Sequence, residues 1–166
     1  MQLPSAEALF EELARQIRPD VTADTALVGI YTGGVWLAER LHADLGLRQE
    51  LGTMDVSFYR DDYGRIGLHP KVKPSTIPFD VEGRSVIIVD DVLYTGRTIR
   101  AALNELFDYG RPARVDLAVL VDRGGRELPI CPRYCAYSLS DPLAPSLSLQ
   151  LDRDANGIMS LRLVDA

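Results

Sequence analysis

The sequence predicts an α/β protein with an open, mainly parallel sheet flanked by helices, and three observations carry that reading. Val86, Ile87, Ile88 and Val89 are four consecutive β-branched residues, the composition of a strand buried on both faces of a parallel sheet. Strand-like and helix-like segments alternate along the chain, which is the order of βαβ units. At 166 residues and 46% hydrophobic, the chain fits a single domain, 1–166, with one real core.

Taken in order, Ser5 opens an amphipathic helix with Ala6, Leu9, Phe10, Leu13 and Ile17 on one face and Pro19 beyond its end. Ala26 to Tyr31 is a short apolar strand, and Thr32-Gly33-Gly34 is a tight loop. Val35, Leu37, Ala38, Leu41 and Leu45 then mark a second helix. Met54, Val56 and Phe58 alternate with Asp55, Ser57 and Tyr59, so this strand has one dry face. Residues 60–80 lack a sustained period and contain Pro70, Pro74 and Pro78, and a stretch of this length is expected to be a flexible lid loop.

The Val86 strand leads into a helix whose apolar face is Ile99, Ala102, Leu103, Leu106 and Phe107, closed by Gly110 and Pro112. Arg114 to Val121 reads as another buried strand. Tyr134 to Leu139, Leu147 to Leu151 and Ile158 to Val164 read as C-terminal edge strands, with Ala155-Asn156-Gly157 turning between the last two. An open sheet of this kind takes its ligands at the carboxyl ends of the strands.

The chemistry concentrates where the Val86 strand ends. Asp90 and Asp91 are followed by Val92, Leu93 and a loop, Tyr94-Thr95-Gly96-Arg97-Thr98, that opens the next helix. A strand, a polar loop and a helix N-terminus together make an anion site, because free N–H groups and the helix dipole point at the loop. Thr95 and Thr98 add hydroxyls, and Gly96 lets the backbone approach a phosphate. Two acids beside a phosphate cradle would repel it unless they served a sugar diol and a Mg2+ ion. The segment therefore reads as a site for a phosphorylated sugar. Thr32-Gly33-Gly34, Asp122-Arg123-Gly124 and Arg60 end neighbouring strands and bring further phosphate-friendly chemistry to the same edge.

Other classes lose their first requirement. Neither G-x-x-x-x-G-K-[ST] nor G-x-G-x-x-G occurs in the chain. No apolar run approaches membrane-spanning length, and residues 1–17 carry acids without a continuous apolar stretch, so a cytoplasmic protein is expected. Cys131 and Cys135 lack redox spacing and cannot complete a zinc site alone, so reduced thiols are expected. The net charge of −6 disfavours broad nucleic-acid binding.

Val89 to Thr98 resembles the PRPP-binding motif of the type I phosphoribosyltransferases. Ser57 to Asp62, Val119 to Gly124 and Arg126 to Ile130 are similar to the corresponding segments of the pyrimidine operon attenuation protein/uracil phosphoribosyltransferase family. The resemblance runs from about Leu27 to the C-terminal strands. It implies a type I phosphoribosyltransferase fold that makes UMP and pyrophosphate from uracil and PRPP. It also implies binding of pyrimidine-operon mRNA when UMP is bound, and a homodimer or dimer of dimers. The alternative it leaves open is a UMP- and PRPP-sensing RNA-binding regulator with little catalysis.

By the same resemblance, Asp90 and Asp91 hold the ribose hydroxyls and help place Mg2+, which is held mainly through PRPP. Val92 and Leu93 belong to the PRPP-binding run, and Tyr94 to Thr98 hold the 5′-phosphate. Thr32 and Gly33 meet pyrophosphate, Arg60 contributes to catalysis from the lid, and Arg123 lies near the base or pyrophosphate. Purine-specific relatives in the wider superfamily carry an acid at the position of Tyr94, so its absence implies a pyrimidine base. The chain departs from the family where many members carry cations: Tyr31, Gly33, Gly125 and Cys131 stand there instead. Arg126 is the retained cation, and the first helix carries Glu7, Glu11 and Glu12 against Arg15 and Arg18. RNA binding is therefore expected to be weak.

Overall fold

The computed structural model describes residues 2–57 and 74–166. Its main sheet has five parallel strands in the order β2-β1-β3-β4-β5. These are β1 (Thr25–Ile30), β2 (Gly52–Met54), β3 (Ser85–Leu93), β4 (Arg114–Asp122) and β5 (Tyr134–Ser138). The helices are α1 (Ala6–Ile17), α2 (Gly33–Asp44) and α3 (Arg97–Asp108), and β6 (Leu147–Arg153) pairs antiparallel with β7 (Met159–Asp165).

Strand alternation divides the apolar residues between two cores. Leu27, Ile87, Val89, Ala118 and Leu120 face α1, α2 and the β6–β7 hairpin. Val28, Ile30, Val86, Ile88, Leu117 and Val119 face α3, with Ile77 and Phe79 packed alongside. This is why β3 has to be apolar at every position from Val86 to Val89. Ser5 caps α1 as its sequence suggests, accepting the Ala8 N–H at 3.5 Å, and Leu9, Phe10, Leu13 and Ile17 are buried.

Both sheet edges are covered. Beside β2, Thr53 and Thr76 exchange two backbone hydrogen bonds of 2.8 Å. At β5, the Gln16 side chain accepts the Cys135 N–H and donates to the Cys135 carbonyl, both at 3.0 Å, mimicking a further strand.

The strand order places a switch point at the carboxyl ends of β1 and β3, because β2 and β3 lie on opposite sides of β1. An open sheet is most receptive to ligands at such a crevice.

Several sequence expectations are corrected. The Met54 strand starts earlier and stops at Met54, and Val56 is buried outside it. Phe58 and Tyr59 lie outside the described residues, as do positions 60–73 of the expected lid. The rest of that stretch is tied to the sheet by Thr76 and packs Ile77 and Phe79 into the second core. Phe107 is 53% exposed, because it sits on the flank of the apolar stripe. Of the three expected edge strands, β5 is the edge of the main sheet as expected, whereas β6 and β7 form a separate hairpin over α1 and α2. Among the described residues no helix is long and apolar enough to cross a membrane, and both cysteines are unbridged.

Candidate active site at the carboxyl edge of the sheet

Asp90 and Asp91 lie within β3 rather than after it, since the strand continues to Leu93. Alternation therefore sends them to opposite faces, Asp90 buried at 8% exposure and Asp91 half-buried. Each carboxylate is fixed by a backbone donor. Oδ1 of Asp90 accepts the Asp91 N–H and Oδ1 of Asp91 accepts the Val92 N–H, both at 2.9 Å.

On the β1 side, Gly33 and Gly34 already belong to the first turn of α2, with Thr32 as its exposed N-cap. The glycines are needed for close approach. A Cβ at Gly33 would lie 2.3 Å from Oδ2 of Asp91, and one at Gly34 would lie 2.5 Å from the Val89 carbonyl oxygen. The start of α2 is thus pressed against β3 beside the acids. On the other side, Gly96 caps α3 with φ of 95°, a left-handed conformation suited to glycine. Thr95 is buried, its hydroxyl oxygen accepts the Arg97 N–H at 3.2 Å, and its carbonyl accepts the N–H groups of Glu127 and Leu128 at 3.0 Å each. Thr98 is half-exposed in the first turn, and the Arg97 side chain pairs outward with Glu127 at 3.0 Å.

Two helix N-termini therefore flank one pair of carboxylates. Neither first turn holds an acid, and among the described residues the Thr32 side chain makes no capping bond to α2, while Gly96 has no side chain to cap α3. Such termini favour anions through their N–H groups and dipoles.

Val92 packs against the first core, and the carbonyl of the buried Leu93 accepts the Arg123 N–H at 3.0 Å. Arg123 itself is 4% exposed. Its guanidinium lies 3.8 Å from the centroid of the Tyr94 ring, and burial lowers its pKa from the ordinary arginine value. Arg60 lies outside the described residues.

Arg126 is the residue whose role the sequence hid. Its guanidinium donates to the Ile130 carbonyl at 2.7 Å, the Tyr94 carbonyl at 2.6 Å and the Asp122 carboxylate at 2.6 Å. The expectation of Arg126 as a retained RNA-binding cation is corrected accordingly: it staples the loop after β4 to the loop after β3. Its i, i+4 spacing from Asp122, across two glycines, was the available signal. Arg15 and Arg18 are also engaged, with Glu12 at 2.6 Å and Asp44 at 2.8 Å.

The phosphoribosyl transferase domain family matches residues 2–146. The chain belongs to this family. The relatives are close: a bifunctional protein PyrR from Ralstonia nicotianae is 53% identical over 156 residues, covering 92% of this chain and 88% of the relative. One from Nitrosococcus oceani is 51% identical over 151 residues, covering 87% and 84%. Among solved structures, a purine phosphoribosyltransferase from Pyrococcus horikoshii aligns with a TM-score of 0.62 at 26% identity, covering 84% of this chain and 85% of its own. A hypoxanthine-guanine phosphoribosyltransferase from Bacillus anthracis aligns at 0.67 with 21% identity, covering 89% and 85%, a likeness of fold. The fold is that of a type I phosphoribosyltransferase, with the hairpin as its C-terminal addition.

The donor set also suits a Mg2+ ion carried by substrate. Among the described residues no cluster of three or more His, Cys, Asp or Glu is placed to hold a metal. Mg2+ is commonly bound through one or two carboxylates plus substrate phosphates, and Asp90 and Asp91 fit that pattern.

Proposed function

We propose that this phosphoribosyltransferase makes UMP and pyrophosphate from uracil and PRPP with Mg2+, and that it also regulates pyrimidine biosynthesis genes. The observation that carries the enzymatic half is the pair of helix N-termini on either side of Asp90 and Asp91 at the switch point. In this reading one takes a 5′-phosphate on Tyr94 to Thr98 and the other a pyrophosphate on Thr32 and Gly33.

The reaction breaks the bond from C1′ to the pyrophosphate oxygen and forms one from C1′ to N1 of uracil, whose N1 proton is released to the departing pyrophosphate or to solvent. Positive charge develops on the ribose ring as the leaving group departs. Asp90 and Asp91 accept hydrogen bonds from the 2′- and 3′-hydroxyls and place negative charge beneath the ring where it becomes cationic. The first turns of α2 and α3 hold the two anionic ends, so that the sugar is stretched between fixed points. Bound Mg2+ would supply neutralisation of the pyrophosphate charge, held by Asp90, Asp91 and the substrate's own oxygens. Tyr94 offers no carboxylate to a purine ring nitrogen, which favours a pyrimidine.

Gly33 favours a second reading, a UMP- and PRPP-sensing RNA regulator with little catalysis. The family's frequent arginine at this position is a bidentate donor that this loop lacks. Incubating the protein with PRPP, Mg2+ and uracil, and measuring UMP formation against adenine, guanine and hypoxanthine, separates the two. Turnover with uracil supports the enzyme; ligand binding without turnover supports the sensor.

A further inference from the structure

The start of α2 is weakly held by its own sequence. Its first two residues are Gly33 and Gly34, which give up the most backbone freedom on ordering. Among the described residues Thr32 gives it no side-chain capping bond, and its first backbone bond, from the Trp36 N–H to the Thr32 carbonyl, is 3.4 Å long. Yet this turn sits against the sheet with little room to spare: a Cβ at Gly29 of β1 would lie 2.8 Å from Cα of Val35. A helix start that is loosely made and closely placed needs support from outside the helix.

The C-terminal hairpin supplies it. Trp36, the only tryptophan of the chain, closes the first turn with its backbone and packs its side chain against the first core. The guanidinium of Arg153, the last residue of β6, lies over the Trp36 ring, 5.0 Å from its centroid. The same guanidinium pairs with Glu39 at 3.0 Å, so one side chain bridges two positions a turn apart on α2.

A second tie lies further along the helix. Arg40 pairs with Glu7 at 2.9 Å and stands 4.0 Å from the centroid of the Phe10 ring, while Glu7 accepts the N–H of Met159, the first residue of β7, at 2.8 Å. Beneath both ties, Leu149, Leu151 and Met159 of the hairpin are buried in one core with Leu37, Ala38 and Leu41 of α2. The hairpin thus backs the helix on the side away from the strands, and Arg153 is its contact nearest the helix start.

We propose that Arg153 is a positioning residue for the pyrophosphate half of the site: through Trp36 and Glu39 it holds the first turn of α2 in place, so that the free N–H groups of that turn meet the anion. The inference rests on the phosphoribosyl reading of the site and adds to it a role for the hairpin. An exposed ion pair alone contributes little. A guanidinium over a tryptophan ring is the strongest of the common cation–π pairs, and here both act on the one turn that has least support of its own.

The test compares an anion that should bind at α2 with one that should bind at α3. Binding of pyrophosphate with Mg2+ and of ribose 5-phosphate is measured by calorimetry for the wild type, Arg153→Met and Arg153→Lys, and acrylamide quenching of Trp36 fluorescence is recorded on the unliganded proteins. Arg153→Met is expected to lose about fivefold in pyrophosphate affinity, with ribose 5-phosphate within about twofold of wild type, the scale of one cation–π contact and one surface pair. Its Trp36 should be more readily quenched, and Arg153→Lys, which keeps the charge, should lie closer to wild type. Glu39→Gln removes the pair, leaves the stack, and gives the same selective loss at smaller amplitude if Arg153→Met does not fold. Equal losses for the two ligands would mean that Arg153 serves the whole fold, and unchanged pyrophosphate binding would mean that the contact is idle. Either overturns the proposal and leaves the phosphoribosyl reading standing. A wild type that binds ribose 5-phosphate but no pyrophosphate contradicts the reading of the α2 terminus itself and removes the proposal with it.

Discussion

Gly33 and Asp91 are in such close register that a methyl group at position 33 would lie 2.3 Å from the Asp91 carboxylate oxygen. The neighbouring Gly34 is equally tight, but against the Val89 carbonyl, 2.5 Å away. A carboxylate can swing aside, whereas a strand carbonyl cannot. Gly33→Ala is therefore expected to raise the KM for PRPP roughly tenfold with little change in melting temperature, about 1.4 kcal/mol of weaker binding. Gly34→Ala is expected to cost about 1–3 kcal/mol of stability through overpacking. Melting curves and PRPP saturation curves for the pair check the distinction.

Asp90→Asn and Asp91→Asn each keep an oxygen for the backbone donor that fixes the side chain, so folding should survive. Each removes negative charge from beneath the ribose, and turnover is expected to fall on the order of a hundredfold. Initial rates at saturating PRPP, set beside thermal melts, check this; full turnover in both variants would remove the ribose role.

Arg126→Met strips a donor from two carbonyls and a carboxylate at once. The pair with Asp122 is partly exposed, so the expected loss is about 2–3 kcal/mol of unfolding free energy. Urea denaturation at neutral pH measures it. Stability within experimental error of wild type would show that the two loops hold together without the staple.

The Glu7 carboxylate accepts the Met159 N–H at 2.8 Å and pairs with Arg40 at 2.9 Å. The backbone donor, then Arg40, lowers its pKa from 4.5. A lowered carboxylate stabilises the fold fully above its unfolded-state pKa, and that contribution is lost as pH falls through the folded value. Glu7→Gln should accordingly be less stable than wild type above pH 4.5 and approach it below, as denaturation across pH 3–7 would show. A constant difference across that range would assign the effect to packing.

RNA binding should be weak. Arg126 is occupied inside the site, Arg15 and Arg18 are paired, and Gly33 and Gly125 are enclosed by Asp91 and Tyr94. Every cation withheld from an RNA phosphate flattens the dependence of log K on log salt by roughly 0.7–0.9. Titration of a pyrimidine-operon leader across a salt series is expected to give a shallow slope and little gain from UMP. Nanomolar, UMP-dependent binding with a steep slope would contradict this.

The β3 strand was legible in the sequence because burial on both faces leaves no room for a polar residue between Val86 and Val89. The turn from β3 into α3 was legible because Thr95, Gly96 and Thr98 follow the apolar strand at once. The extent of β2 was not: Val56 continues the alternation but leaves the strand, so period alone overran its end. Phe107 fits the helical stripe by spacing, yet it borders a groove with Leu103, Pro112 and Val115 rather than the sheet centre. Arg126 misled for a different reason. Charge in a sequence says nothing of whether a guanidinium faces solvent or bridges two loops, and only the fold brings Tyr94, Asp122 and Ile130 around it.

The acids and the two helix N-termini are proposed to form a phosphoribosyl-transfer site for a pyrimidine. The most direct measurement is kcat/KM for uracil and for hypoxanthine at saturating PRPP and Mg2+, with UMP and pyrophosphate quantified together. Stoichiometric UMP and pyrophosphate, with uracil preferred at least about a hundredfold, or about 2.7 kcal/mol in the transition state, is the expected result. Preference for hypoxanthine, or tight PRPP binding with no product from any base, would contradict it.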